Sequence, residues 1–370
     1  ASQFVTQDAE IQKIIWILAI YTSFDILTNL FSSFFRARQQ MEYEALTKIA
    51  RVLVLLSAGM LVLFYLPSVV NLSFGYLLAN VIGFAVAVAI FLWRSGSLKI
   101  KWKIDTWKNY LLMSWPLALV GFLTLICGEI DSVMMGAWGQ IAETGWYNAA
   151  YRLAGAALIP ANLISLSFYP VLSKFFNESK EKLQKIWNYQ VGVMIFMAVP
   201  IIIAGIIAAP DVIELVYDST YAPSILAFQI LLFMVGLSMI NLSFQQGLII
   251  SNKQKKTFWA ILGGAAINVI LNWVLIPKYS LYGAGAATVI TSLSILIMFY
   301  IFTMRSTPLR FFNLNNTLNL AVIIVSGAIM YFSMIKSEFN IFLTILAGFL
   351  IYLSFFFILK FSFKTLTAKL

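Results

Sequence analysis

Apolar side chains fill this chain in runs of about 20 residues separated by short polar stretches, long enough at 1.5 Å per residue to cross the hydrocarbon core of a bilayer. The pattern predicts about eleven membrane-crossing helices. They run from Ile11 to Phe34, Ala45 to Tyr65, Ser73 to Leu92, Tyr110 to Met135, Tyr147 to Leu172, Trp187 to Ala208, Ser224 to Ile249, Phe258 to Leu275, Gly283 to Phe302, Thr317 to Met334 and Ile341 to Leu359. The fold class is therefore all-α, a polytopic membrane protein.

Lysine and arginine test that count, because they should gather on alternate sides of the membrane. One side carries Arg36 and Arg38, with Lys48 and Arg51 in the next helix, then Arg94, Lys99, Lys101, Lys103 and Lys108. The same side carries Lys174 to Lys185, Lys253 to Lys256, Arg305 and Arg310, and Lys360, Lys364 and Lys369. On the other side, 66–72, 136–145 and 210–222 contain neither residue, and only Lys13, Lys278 and Lys336 stand alone. The rich side is expected to be cytoplasmic, with the first residues outside and the C-terminus inside. The loops are short, which argues against a soluble catalytic domain.

A repeat accompanies the alternation. Arg38-Gln39, then Ala45 and a helix ending Leu66-Pro67, recurs as Lys253-Gln254, Ala260 and a helix ending Ile276-Pro277. The two glutamines are about 215 residues apart and enter from the same face, the mark of parallel six-helix repeats. That offset expects roughly a hundred residues and three helices ahead of Ala1. The opening Ala1-Ser2-Gln3, neither an initiation site nor a signal peptide, agrees, so the chain is expected to be N-terminally truncated.

Composition narrows the chemistry. Hydrophobic residues make up 61% of the 370 residues and charged ones 11%, too little polar surface to coat a soluble domain. The net charge of +10 lies in clusters between apolar runs, which fits topology better than nucleic acid. With no histidine the usual general base is missing, and Cys127 alone offers neither a disulfide nor a metal site, so enzyme chemistry is disfavoured.

Charge within hydrocarbon costs about 2.5–3.5 kcal/mol on insertion scales, so Asp25, Glu129, Asp131 and Arg152 become functional candidates. Lys48 and Arg51 are near enough to a helix end to snorkel and are set aside. Arg152 has three readings: a salt bridge to Glu129 or Asp131, a guanidinium facing a water-filled cavity and binding phosphate, or an arginine snorkelling at the outer interface. Asn268 and Asn272 share a helical face, and Thr288 follows a tight connection. With a nearby carboxylate they form either a hard-ligand set suited to Na⁺ or interhelical hydrogen bonds. Gly263-Gly264 and Gly283 are read as sites of close helix packing, and Pro210 to Asp218 as a solvated outer face.

The stretch Ile130-Asp131-Ser132-Val133-Met134-Met135-Gly136, followed by Gly145-Trp146-Tyr147-Asn148-Ala149-Ala150-Tyr151-Arg152, resembles polysaccharide flippases of the multidrug/oligosaccharidyl-lipid/polysaccharide exporter superfamily. Ala209-Pro210-Asp211, Asn268 to Asn272 with Ile276-Pro277, and Gly283-Ala284-Gly285-Ala286-Ala287 extend the likeness from Asp25 to about Arg305. The resemblance implies a two-lobed bundle with 1–105 as the rest of an N-terminal lobe, 106–305 as the C-terminal lobe and 306–370 as two extra helices.

It also implies an O-antigen flippase, Wzx-like, in the bacterial inner membrane. Such a protein carries undecaprenyl-pyrophosphate-linked oligosaccharide by alternating access and has the polysaccharide (lipopolysaccharide) polymerase and ligase machinery as its partners. Arg152 would hold pyrophosphate, while Asp25, Glu129 and Asp131 would shape the cavity. The similar lipid II flippase branch implies an ion site, for Na⁺ or a proton, at Asp131, Asn268, Asn272 and Thr288. That branch has a carboxylate where Asn272 stands. A multidrug antiporter of the same superfamily and a membrane-embedded glycan polymerase or ligase remain the alternatives.

Overall fold

A computed structural model describes residues 9–38, 40–95, 104–311, 314–337 and 340–367. Ala1 to Gln3, Gln39, Lys99, Lys101, Lys103 and Lys369 lie outside these, as do the side chains of Arg36 and Lys364. Helices account for nearly all of the described residues: α1 (Ala9–Ala37), α2 (Met41–Tyr65), α3 (Val69–Ser95), α4 (Ile104–Ala137), α5 (Ile141–Ala157), α6 (Ile159–Glu178), α7 (Lys180–Tyr217), α8 (Ser224–Ile250), α9 (Gln254–Ser306), α10 (Leu314–Ile335) and α11 (Ile341–Thr367).

Ten helical stretches are long and apolar enough to cross a membrane. One of them, the 53-residue α9, is two crossings, which makes eleven among the described residues. The backbone breaks at Ser280 (φ 51°, ψ −131°) and the second arm folds back along the first. Glycine is required there: a β-carbon at Gly283 would collide with the Leu275 carbonyl oxygen, and one at Gly264 with Ile295. The glycines read as close-packing sites therefore let the arms of a hairpin touch.

Two expected boundaries change. The single span expected from Tyr147 to Leu172 is two helices, α5 and α6, broken at Leu158 because Pro160 has no N–H to continue the ladder. The span expected from Trp187 to Ala208 is the apolar middle of α7, whose 38 residues reach about 57 Å, well beyond the hydrocarbon. Helix α7 passes through Pro200 and Pro210 and ends at Asp218 (φ 86°). There the Thr220 hydroxyl and backbone N–H both donate to the carboxylate, which holds this exposed group below its usual range.

The chain forms two compact units, 1–104 and 105–370. In the first, α3 packs against both α1 and α2. Tyr21 meets Tyr76, Phe24 and Phe31 meet Phe84, and Phe34 meets Phe91. Numbers rise together along this ladder, so α1 and α3 run parallel, as alternate crossings must.

The second unit is built around α8, which buries Ala227, Leu231, Leu232, Val235, Met239 and Leu248. Polar side chains pin the helices where apolar contacts alone would let them slide. The Trp187 indole donates to the Ser243 carbonyl at 3.0 Å, Gln190 donates to Gln246, and Gln246 donates to the Ser165 carbonyl, joining α7, α8 and α6. Tyr352 of α11 donates to the Phe196 carbonyl of α7 at 2.8 Å. Helix α4 lies alongside the first arm of α9, with Trp115 against Phe258 and Trp138 against Trp273.

Candidate functional site

Asp131 stands in the last two turns of α4 and is 0% exposed. A carboxylate enclosed this way has to find donors or a cation, because no water reaches it. Three neutral side chains serve it. The Tyr147 hydroxyl of α5 and the Thr288 hydroxyl of α9 donate to Oδ2 at 2.6 Å each, and Asn272 Nδ2 donates to Oδ1 at 2.5 Å. The same Asn272 amide donates to Asn268 Oδ1 at 3.2 Å. The Ser280 hairpin is what brings Thr288 back beside Asn268 and Asn272.

The structure thus gathers Asp131, Asn268, Asn272 and Thr288 in one cluster and adds Tyr147. Two of its atoms are left over: Asn272 Oδ1 and Asn268 Nδ2 are buried without a hydrogen-bond partner. If the Asn272 amide turned end for end, its oxygen would stand where the nitrogen now bridges Asp131 Oδ1 and Asn268 Oδ1. Three oxygens would then converge on one point. Thr288 Oγ1 lies between Asp131 Oδ2 and the Ala284 carbonyl, 3.0 Å away, and its single proton serves only one of them at a time. Carboxylate, amide and hydroxyl oxygens in this arrangement fit a small hard cation.

Arg152 and Glu129 are not part of this cluster. Both side chains are exposed, and Arg152 makes no ion pair with any described residue, so the salt bridge to Glu129 or Asp131 does not form. Asp131 points instead to its neutral donors. Arg152 lies eleven residues into α5, about 16 Å along the helix. On the adjoining turns Ser132 donates to Asn148 at 2.9 Å, which makes this side of α4 and α5 polar.

Asp25 lies in the first unit. Its Oδ1 accepts from Arg51 Nη1 at 2.5 Å, and its Oδ2 accepts from Asn29 at 3.0 Å. Setting Arg51 aside as a snorkelling residue was an error: it turns inward to Asp25 and to Asn80 Oδ1, at 3.3 Å. Lys48, by contrast, stays near its helix end and pairs with Glu44 at 2.6 Å.

A family model described as "Polysaccharide biosynthesis protein" matches residues 3–176, which takes in the Asp131 to Arg152 stretch. The chain is 25% identical to the capsular polysaccharide biosynthesis protein CapF of Staphylococcus aureus, over 66% of this chain and 64% of that protein. It is 24% identical to the probable flippase AglR of Haloferax volcanii, over 44% and 35%. It is also 29% identical to an uncharacterized membrane protein of Methanocaldococcus jannaschii, over 62% and 56%. Among solved structures, the inward closed lipid II flippase MurJ superposes with a TM-score of 0.71 at 16% identity, covering 93% of this chain and 73% of that one. An inward-facing multidrug resistance transporter of the MATE family gives 0.69 at 13% identity, covering 80% and 71%.

The chain shares its fold with these two membrane transporters.

The chain spans about half the length of the curated relatives it matches. Tyr147 is the site residue that sequence reasoning passed over. It lies in the quoted motif, and the signal was available: a phenol inside an apolar run needs a partner for its hydroxyl. Arg51 was lost differently, by judging depth along its own helix without asking which carboxylate stood opposite.

Proposed function

We propose that the protein is a flippase for undecaprenyl-pyrophosphate-linked oligosaccharide, an O-antigen or related polysaccharide repeat unit, and works as a transporter rather than an enzyme. The observation that carries this reading is Arg152: a guanidinium on a helix of a candidate membrane span, exposed and without an ion pair among the described residues. Such a charge needs an anion or water. Moving a bare pyrophosphate through hydrocarbon is prohibitive, and a planar guanidinium can take two of its oxygens at once. The polyprenyl tail stays in lipid while the head group crosses a polar interior. The polysaccharide-biosynthesis family match and the likeness to a probable flippase support the substrate class.

The Asp131 cluster supplies coupling in this reading. Na⁺ would be held by Asp131, Asn268, Asn272 and Thr288, with a proton on Asp131 as the other occupant of the same role. The protein works in the inner membrane with its C-terminus in the cytoplasm and hands its cargo to the polymerase and ligase machinery. A multidrug antiporter would bind amphipathic cations, and an unpaired arginine is a poor wall for them.

The test is translocation of lipid-pyrophosphate glycans in proteoliposomes, with Na⁺ and proton gradients imposed separately. Flipping accelerated by one gradient is the expected result. Absence of flipping for every pyrophosphate-linked glycan tried, with export of organic cations instead, overturns the proposal.

A further inference from the structure

Helix α7 carries two prolines in its interior, Pro200 and Pro210. A proline has no N–H, so the carbonyl four residues before it loses its partner in the helix ladder. Those carbonyls belong to Phe196 and Ile206, and both are taken by side chains from other helices. The Tyr352 hydroxyl of α11 donates to the Phe196 oxygen at 2.8 Å. The Gln229 amide of α8 donates to the Ile206 oxygen at 2.9 Å. A helix bends most readily where its ladder is broken, and each break in α7 is closed by one reversible bond from outside.

The two helices beyond the six-helix repeat are seated over the first break. Both α10 and α11 pack against α7, and their shared core sets Met330, Met334 and Tyr352 against Phe196, Val199 and Ile203. Tyr352 is fully buried, and its ring centre lies 5.1 Å from that of Phe196. Gly327 of α10 permits the approach, since a β-carbon there would stand 2.5 Å from Val199 Cγ1. A helix pair that only added apolar surface could sit at any level of α7. This pair covers Pro200 and gives its buried hydroxyl to the one carbonyl that this proline releases.

We infer that α7 is hinged at Pro200, with α10 and α11 as a splint across the hinge and Tyr352 as the positioning residue that sets its angle. The inference concerns the shape of a helix and no substrate, so it goes beyond the flippase reading and survives that reading's failure. With Tyr352 in place the Phe196 carbonyl is held and the bend has one value. Without the hydroxyl, the carbonyl has to reach another donor or water, and it does so by a change of bend that swings the outer half of α7. An alanine at position 200 would return the N–H to the ladder and make the Tyr352 bond redundant.

The experiment measures spin-label distances by pulsed electron resonance on the full chain in nanodiscs. The labels sit on E214C and K278C, two exposed positions expected on the outer side, with C127A removing the native thiol. Glu214 is 14 residues beyond Pro200, a lever of about 21 Å, so a further bend of about 20° displaces it by about 7 Å. The protein with Tyr352 and Pro200 intact should give one narrow distance. Y352F, which keeps the ring, should shift or broaden it by several ångströms, and P200A/Y352F should coincide with P200A. If Y352F does not fold, P200A/Y352F should restore folding. An unchanged distance in Y352F overturns the hinge, because the hydroxyl would then set no angle. So does a P200A/Y352F protein that is as broad as Y352F or as unfolded, because the effect would then not pass through the carbonyl released by Pro200.

Discussion

Replacing Asp131 with asparagine tests whether the buried cluster holds a cation or merely joins helices. The change is nearly isosteric and removes one charge. Two effects then oppose each other in the absence of any ion. Three hydrogen bonds to a charged group, each worth about 1.5–3 kcal/mol, become ordinary ones of about 1 kcal/mol, while the penalty of several kcal/mol for burying the charge disappears. Basal stability should therefore shift by no more than about 2 kcal/mol. The sodium response should not survive. A cation bound at a hundred times its dissociation constant stabilises the folded state by about 2.7 kcal/mol, or roughly 5–10 °C in a domain of a few hundred residues. The assay is thermal unfolding in detergent, with sodium replaced by choline at constant ionic strength and pH so that screening does not change. Wild type should gain stability with sodium and D131N should not. An equal response in D131N, or a flat wild type, refutes the sodium site.

Tyr147→Phe removes one donor to Asp131 but keeps the ring in its packed place. It should lower the melting temperature with or without sodium by the equivalent of about 1.5–3 kcal/mol while leaving a sodium response, and an unchanged melting curve would show that the phenol is not holding the carboxylate. Arg152→Ala alters an exposed side chain, so stability should stay within about 0.5 kcal/mol while glycan translocation is lost. Arg152→Lys should retain part of the transport. Normal flipping by the alanine variant at wild-type expression would remove Arg152 from the mechanism.

Membrane spans are legible from sequence because bilayer thickness forces a minimum apolar length, and ten of the eleven expected runs fall within single described helices. What the hydropathy pattern sees is the hydrocarbon, not the helix. It could not show that α7 continues to Tyr217, since Pro210 and the acidic turns beyond it look like a loop to any measure of apolarity. Nor could it show the α5–α6 break, because Leu158 and Ile159 are as apolar as the residues around them. The site divides in the same way. Asp131, Asn268, Asn272 and Thr288 stand out as polar residues on apolar helices, and their meeting depends on a hairpin that the Gly283 region announces. Tyr147 and Arg51 are recognisable only through their partners, and partners on other helices are set by packing registers that one helix does not encode.

Three ionisable groups on the membrane helices are compensated in three ways, and the differences carry the functional argument. Asp25 is paired, with Arg51 one-pronged and open on its other edge. Asp131 is closed off with neutral donors only, and an orphaned amide oxygen stands beside it. Arg152 is open, with no described counter-charge. A bundle selected for stability alone would replace such groups with apolar side chains at little or no cost, since even a well-made buried ion pair gains little over a hydrophobic substitute. Retaining the two charges that lack a counter-charge makes physical sense if each is completed by something that comes and goes: an anion for Arg152, a cation for Asp131. If both could be neutralised together, as D131N and R152Q, with translocation intact, that inference would fail at its root.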